Sequence, residues 1–357
     1  MIELEPSEIT DPVVWNRFVE HARYRSFPQL WEWGELRQTF GWRALRIGVG
    51  SGPRGVPIAG AQLLIRRLPL IGWGLAYAPR GPIGEMDDPE VRAAMYAALR
   101  AVAGRYRIAT VKVDPETSRA TPYGRWLLER PWRPSRKVQP PSTRVIDLSP
   151  PEDALWAAMR RKHRQSVNRA RREGVGVEVV ERSTSLDDVA RALRDFHRIY
   201  EETARRAGFV ARHLRYYERL WEVFSPAGHV NLYFATRGGE RVATLFHFVV
   251  GGRVATVYGG MTEPGAALRA NYLLRWEAMS RAKRAGSQSY DLWGLATEGI
   301  RQFKEGFGGE TRAYVGARDL PLNVPLDRVL RGVVPAYRAM QHARLRLAGR
   351  DLAISDE

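Results

Sequence analysis

One order of patterns occurs twice along this chain, and the duplication limits the fold more than any other feature. In the first copy a helical pattern at Phe27–Thr39 is followed by strand-like runs at Arg43–Val49, Ile58–Arg66 and Gly74–Tyr77, with a glycine turn at Gly50–Pro53. A helix at Pro89–Ala103 and a strand at Thr110–Asp114 complete it. In the second copy Arg215–Phe224 is the helix, Val230–Thr236, Val242–Val250 and Val254–Tyr258 are strands, and Gly238-Gly239 is the turn. Helix Leu268–Ala285 and strand Ser289–Leu292 close it. Tyr77 and Tyr258 stand 181 positions apart, and Val111 and Tyr290 stand 179 apart. Apolar alternation with β-branched residues supports the strands, and Leu273, Leu274, Ala278, Ala282 and Ala285 fall on one helical face.

A chain of 357 residues exceeds the size at which one core keeps growing, so two domains are expected. Helix, antiparallel strands, helix and closing strand, repeated, predict an α/β (α+β) protein. Its two tandem domains would be N-acetyltransferase-like (GNAT-like), with mixed, mostly antiparallel sheets flanked by helices. Pro131, Pro134, Pro140 and Pro141 read as a linker between them. After it Ser149 as N-cap, Pro150 at the first position and Glu152 as its capping-box partner start a basic helix that Gly174 ends. A helical pattern at Leu326–Leu347, interrupted at Pro335, packs back on the first domain in this reading. The expected domains are therefore residues 1–148 plus 325–348, and 149–324.

A net charge of +17 attracts phosphate-bearing partners, such as nucleic acid, nucleotide sugars or an anionic membrane face, and equally suits an arginine-rich proteome. Cysteine is absent, which removes disulfides, thiolate nucleophiles and Cys-ligated zinc. The acidic N-terminus lacks an apolar leader and the longest uncharged stretch, Leu68–Pro79, is short, so the expectation is a cytoplasmic protein without a membrane span.

Seven histidines (His21, His163, His197, His213, His229, His247, His342) never fall within one helical turn of each other, so no metal site is expected. Hydrolase-elbow and phosphate-loop signatures are missing as well. Two stretches carry candidate chemistry. In Phe303-Lys304-Glu305-Gly306-Phe307-Gly308-Gly309 one cation stands between an aromatic ring and glycines, able to hold an anion or a developing oxyanion, or to lie solvated on a tight turn. The basic helix carries Arg160, Arg161, Lys162, Arg164, Arg169, Arg171 and Arg172, suited to phosphates or simply to water. Ahead of helix Leu268–Ala285, where acyl-CoA enzymes of this fold seat a pyrophosphate, the loop Glu263–Ala267 has one glycine and starts with an acid. That favours an acyl donor other than acyl-CoA, and no cofactor is expected.

Taken in order, several strings resemble the FemABX family of peptidoglycan bridge aminoacyltransferases, from Phe27 to about Tyr337. They are Phe27-Pro28-Gln29-Leu30-Trp31-Glu32-Trp33-Gly34 with Arg37, Ala78-Pro79-Arg80-Gly81-Pro82, Val111-Lys112-Val113-Asp114-Pro115 and the Arg160–Gly174 segment. Gly208-Phe209 with Arg212 and Tyr216-Tyr217, Tyr258-Gly259-Gly260, Asn271–Trp276 and the Phe303–Gly309 string continue the series. The segment Leu186–Phe224 leaves room for two short helices only, so the chain is similar to the armless, FemX-like type.

The resemblance implies an aminoacyltransferase that moves an amino acid from aminoacyl-tRNA to the side-chain amine of a stem peptide. The acceptor would be UDP-MurNAc-pentapeptide or a lipid-linked precursor, with peripheral contact at an anionic membrane. It implies Lys304 near the acyl carbonyl and tRNA end, with Phe303 and Tyr258 shaping that channel. It further implies Arg37, Arg212 and Tyr216 on precursor phosphates, Arg160, Arg161, Lys162 and Arg164 on tRNA, and Asp114 near the acceptor amine. Asp114 reads equally well as a strand-end aspartate starting a turn before Pro115. An acyl-CoA-dependent N-acyltransferase acting on another amine and a non-enzymatic RNA-binding protein are the competing readings.

Overall fold

The computed structural model describes residues 4–50, 55–67, 72–329 and 331. The chain divides into one unit that ends at Pro141 and resumes at Ala313, and a second unit spanning Ser142–Arg312. Strand pairing explains why this division departs from the expected 1–148 and 149–324. Ser142–Asp147 pairs with Ser289–Asp291 in the second unit's sheet, and Arg318–Pro321 pairs with Ile108–Val113 in the first unit's sheet.

The first sheet runs in the order Pro6–Glu8, Arg43–Val49, Ala59–Arg67, Gly74–Ala78, Ile108–Val113, Arg318–Pro321 and Arg133–Pro134, with Ile83–Gly84 added against Ala59–Arg67. The second runs Gly176–Val180, Val230–Arg237, Glu240–Val250, Arg253–Met261, Ser289–Asp291, Ser142–Asp147 and Glu310–Ala313. The two orders correspond strand for strand, which is the expected tandem α/β architecture. In both, the fourth and fifth strands of the path pair in parallel. In the second unit this pairing lasts only from Arg253↔Ser289 to Ala255↔Asp291, after which one strand stops while its partner continues to Met261.

Helices Pro12–His21, Trp31–Gln38 and Pro89–Tyr106 in the first unit correspond to Leu186–Ala207, Leu214–Phe224 and Ala270–Arg284 in the second. Asp11, Asp88 and Ser185 cap three of them, each accepting from backbone N–H groups of the first turn. Inward-facing strand residues such as Leu45, Ile47, Leu63 and Val111 bury Met95 and Leu99 of the first unit, and Leu245, Val254 and Tyr290 bury Leu273, Leu274 and Ala278 of the second.

Several local expectations change. The Phe27–Thr39 helix is a 3₁₀ turn, Phe27–Gln29, followed by Trp31–Gln38, because Leu30 between them is extended at φ −61°, ψ 150°. Ser149 does not cap: its hydroxyl donates to Asp147 at 2.8 Å and the helix begins after Pro151. The basic helix is broken at Met159–Arg160 into Glu152–Ala158 and Arg161–Arg172. The proline-rich stretch is no free linker, since Arg133–Pro134 is a sheet strand and Trp132 is buried. Leu186–Ala207 is 22 residues long rather than short, with one face, including Leu193, Phe196 and Ile199, buried. The Gly50–Pro53 turn beyond Gly50 and most of the Leu326–Leu347 helix lie outside the described residues, whose helical positions there include 324–329.

Candidate active site

Where the parallel strands part, the second sheet opens. Thr256 Oγ1 still reaches the Asp291 carbonyl at 3.2 Å, but beyond it the chain turns away through Trp293 at φ 55°, and Trp293 N–H donates to Asp291 Oδ1 at 2.7 Å. Thr297 then caps a new helix, Glu298–Glu305, by accepting from Ile300 N–H. Lys304 and Phe303 therefore stand in the last turn of a helix rather than on a glycine loop, a correction to the sequence reading.

Lys304 Nζ donates to the carbonyls of Trp293 and Gly294, both at 2.6 Å, at the mouth of that opening. Burial, and next the Arg275 cation, bring its pKa from 10.5 down to about 7, with Asp291 opposing. The side chain is thus poised to gain or lose a proton near neutral pH, the condition general acid–base chemistry requires.

Phe303 packs against Tyr272, Phe307 and His163 at ring distances of 5.0, 5.3 and 5.9 Å. The buried His163 ring donates from Nε2 to the Phe303 carbonyl at 2.8 Å, so the basic helix holds the Lys304 turn directly. Burial lowers the His163 pKa. The glycines serve packing: a Cβ on Gly306 would stand 1.9 Å from His163, and one on Gly309 would stand 2.2 Å from the Val145 carbonyl, where φ is also 75°.

Arg275, which the sequence reading did not single out, lies beside this turn. It is 9% exposed, its guanidinium sits 5.5 Å from the Phe303 ring, and burial lowers its pKa. The available signal was a charge on the apolar stripe of helix Ala270–Arg284, where Leu274, Ala278 and Met279 are buried. Asp291, fully buried, is held by Thr143 and Arg253 and supplies the nearby negative charge.

Tyr258 belongs to the other face of the sheet. Its strand shifts register against Leu245–His247, so Tyr258 packs on Phe246 and Phe248, while Arg275 reaches Thr256, which pairs with His247. The Tyr258 and Tyr216 hydroxyls are 3.4 Å apart and the Arg212 guanidinium lies 4.6 Å from the Tyr216 ring. The structure thus brings Phe303 and Lys304 together, and separately Tyr258, Tyr216 and Arg212, so Phe303 and Tyr258 do not form one aromatic wall.

In the first unit Asp114 is 3% exposed, and its two oxygens accept from Tyr77 Oη at 2.8 Å and Arg80 N–H at 2.7 Å. Burial raises its pKa, with the Arg80 cation opposing. Its immediate task is to hold the Ala78–Pro82 turn. Arg37 is buried in helix Trp31–Gln38 with its guanidinium 5.3 Å from the Trp42 ring. On the basic helix Arg161 and Lys162 point into solvent, whereas Arg160 pairs with Glu305 at 3.1 Å and Arg164 donates to the Ala157 carbonyl at 2.8 Å.

The Glu263–Ala267 segment is a helical turn rather than a loop. Thr262 caps it, Gly265 N–H donates to Thr262 Oγ1 at 3.1 Å, and Glu263 N–H donates to Glu202 Oε1 at 2.9 Å. Ala266, Leu268 and Arg269 N–H also have protein carbonyl acceptors. A pyrophosphate there would meet engaged amides and a carboxylate.

Residues 10–122 match the FemAB family and residues 157–305 the acetyltransferase (GNAT) domain family. The crystal structure of FemX superposes with a TM-score of 0.81 at 19% identity, covering 92% of this chain and 100% of that one. The chain is thus similar to the FemABX family in its first part and shares the FemX fold along nearly all of its length. Among similar proteins, Lipid II:glycine glycyltransferase of Staphylococcus aureus (strain MRSA252) is 26% identical over 229 residues, 61% of this chain and 52% of that protein. The match thus spans about half the length of that relative. A tandem GNAT protein from the clavulanic acid biosynthesis pathway shares the fold at a TM-score of 0.54 and 11% identity, covering 90% of this chain and 99% of that one. No helix among the described residues is long and apolar enough to cross a membrane.

Proposed function

We propose that this protein transfers an aminoacyl group from aminoacyl-tRNA to an amine of a peptidoglycan-precursor stem peptide. The observation that carries the reading is Lys304, its ammonium held by two carbonyls at the open end of the parallel strand pair and its pKa near neutrality. The match to the FemAB family and the name of the S. aureus relative support the substrate class, and a net charge of +17 suits two polyanionic substrates.

The reaction needs positioning and charge stabilisation more than covalent catalysis. The precursor amine attacks the ester carbonyl, a C–N bond forms, and the tetrahedral oxyanion collapses as the C–O bond to the ribose breaks. The amine must lose a proton and the ribose oxygen must gain one. Lys304 stabilises the oxyanion as a cation, an effect worth about 3–4 kcal/mol for one well-aimed donor. With its pKa near 7 it also gives a proton to the departing oxygen and is recharged by the amine. Arg212 with Tyr216, and Arg37, take precursor phosphates, and the exposed Arg161 and Lys162, with Arg160 and Arg164, meet the tRNA backbone. Asp114, its oxygens engaged by Tyr77 and Arg80, shapes the acceptor side rather than acting as base.

Acyl-CoA is the weaker donor because the amides that would cradle its pyrophosphate are already occupied. The test is to incubate the chain with a charged tRNA pool and, in parallel, UDP-MurNAc-pentapeptide, a lipid-linked precursor in anionic vesicles, or acyl-CoA with either acceptor. Mass spectrometry should find an aminoacyl increment on a precursor in the tRNA arms. Acylation only in the acyl-CoA arm would overturn the reading.

A further inference from the structure

Arg275 is a buried cation with too few protein acceptors. Of its N–H donors, Nη1 reaches Thr256 Oγ1 at 3.4 Å, near the limit for a hydrogen bond, and Nε has no partner among the described residues. The facing ring of Phe303, 5.5 Å away, gives a cation–π contact but accepts no hydrogen bond of ordinary strength. Asp291 does not neutralise it by direct pairing, because that carboxylate is taken by Arg253 and Thr143. A guanidinium 9% exposed and left in this state costs stability unless something else supplies acceptor oxygens.

Gly259 is half-buried on the strand facing Arg275, where a Cβ would stand 3.6 Å from Nη2 and 3.2 Å from the Thr244 carbonyl, so the strand adds no side chain against the fork. One helical turn before Arg275, Asn271 Oδ1 is also buried without a hydrogen-bond partner. Lys304, whose own pKa is lowered in part by Arg275, marks the same end of the sheet. Two cations this close repel each other, and a bound anion would relieve both.

We infer that Arg275 is an anion-binding residue of the Lys304 site, its planar fork receiving the oxygens of a phosphate group carried by the acyl donor. Resting on the reading of the donor as a tRNA terminus, this assigns that phosphate to the phosphodiester next to the esterified ribose. Guanidinium suits the task better than ammonium because two parallel N–H groups match two phosphate oxygens.

The inference separates from a structural role by the direction of a stability change. In Arg275→Met, Tm without ligand should rise by a few degrees, because an unmatched buried charge is replaced by an apolar side chain of similar length. Wild-type protein should be stabilised by inorganic phosphate, and Arg275→Met should lose that response. A lower Tm in Arg275→Met together with an unchanged phosphate response would overturn the inference. Binding of a short RNA carrying a tRNA 3′ terminus, measured alongside, names the source of the anion: Arg275→Met should weaken it by about tenfold or more. Loss of the phosphate response with unaltered RNA binding would leave the anion site standing and count against the tRNA donor.

Discussion

Lys304 Nζ and the carbonyl oxygen of Trp293 are 2.6 Å apart, and Trp293 holds φ at 55°, in the left-handed region that bulky side chains rarely adopt. The turn that places Trp293 there also aims the Gly294 carbonyl at the same nitrogen. An uncommon backbone conformation at the end of a strand thus fixes one ammonium in place, as functional sites often do.

If that ammonium meets the reacting carbonyl, Lys304→Ala should lower single-turnover transfer by roughly tenfold or more with the fold retained. Circular dichroism and Tm check the fold, and rapid-quench transfer reads the chemistry. Unchanged transfer would remove Lys304 from the mechanism.

The pKa of Lys304 also ties stability to pH. Its ordinary value is 10.5 and the folded value about 7, so between those limits the unfolded chain holds a proton that the folded chain has released. Stability therefore rises with pH across that window, and the cost of burying the charge is fully present below it. Measured against Lys304→Met, which cannot titrate, wild-type Tm should gain on the variant from about pH 7 to about pH 9. A constant difference would show that Lys304 titrates normally.

Gly309 packs where no side chain fits, with φ at 75° and the Val145 carbonyl 2.2 Å from an added Cβ. Gly309→Ala should destabilise the protein by about 1–3 kcal/mol through strain and overpacking. Urea denaturation at equilibrium checks the value, and an unaltered midpoint would contradict the packing account.

Much of the fold was legible because strands of β-branched residues announce themselves and the duplication keeps a near-constant offset, as with Tyr77 and Tyr258. Pairing between distant segments was not, since nothing local in Ser142–Asp147 says that it joins Ser289–Asp291. The helical turn holding Lys304 was hidden as well: Gly299 inside it and glycines after it argue for a loop, and only the Thr297 cap and the packing of Phe303 on His163 and Tyr272 make it a helix. Lys304 was found from its setting between an aromatic ring and glycines, although those glycines turn out to serve packing. Arg275 was missed because its lack of partners is a three-dimensional property.

The Arg212 guanidinium lies against the Tyr216 ring, and the buried Arg37 guanidinium lies beside Trp42. Replacing either with alanine should weaken precursor binding more at low salt than at high salt, as expected for a phosphate contact screened by ions. Titration calorimetry at two ionic strengths reads this, and a loss independent of salt would argue against phosphate contact.

Donor choice is decided by a single-turnover experiment in which charged tRNA and acyl-CoA compete as donors for a purified stem-peptide precursor. An aminoacyl amide should form from the tRNA donor, abolished or reduced about tenfold or more in Lys304→Met, with no CoA released. CoA release with acylation of the acceptor, at a rate unaffected by Lys304→Met, would contradict the tRNA donor.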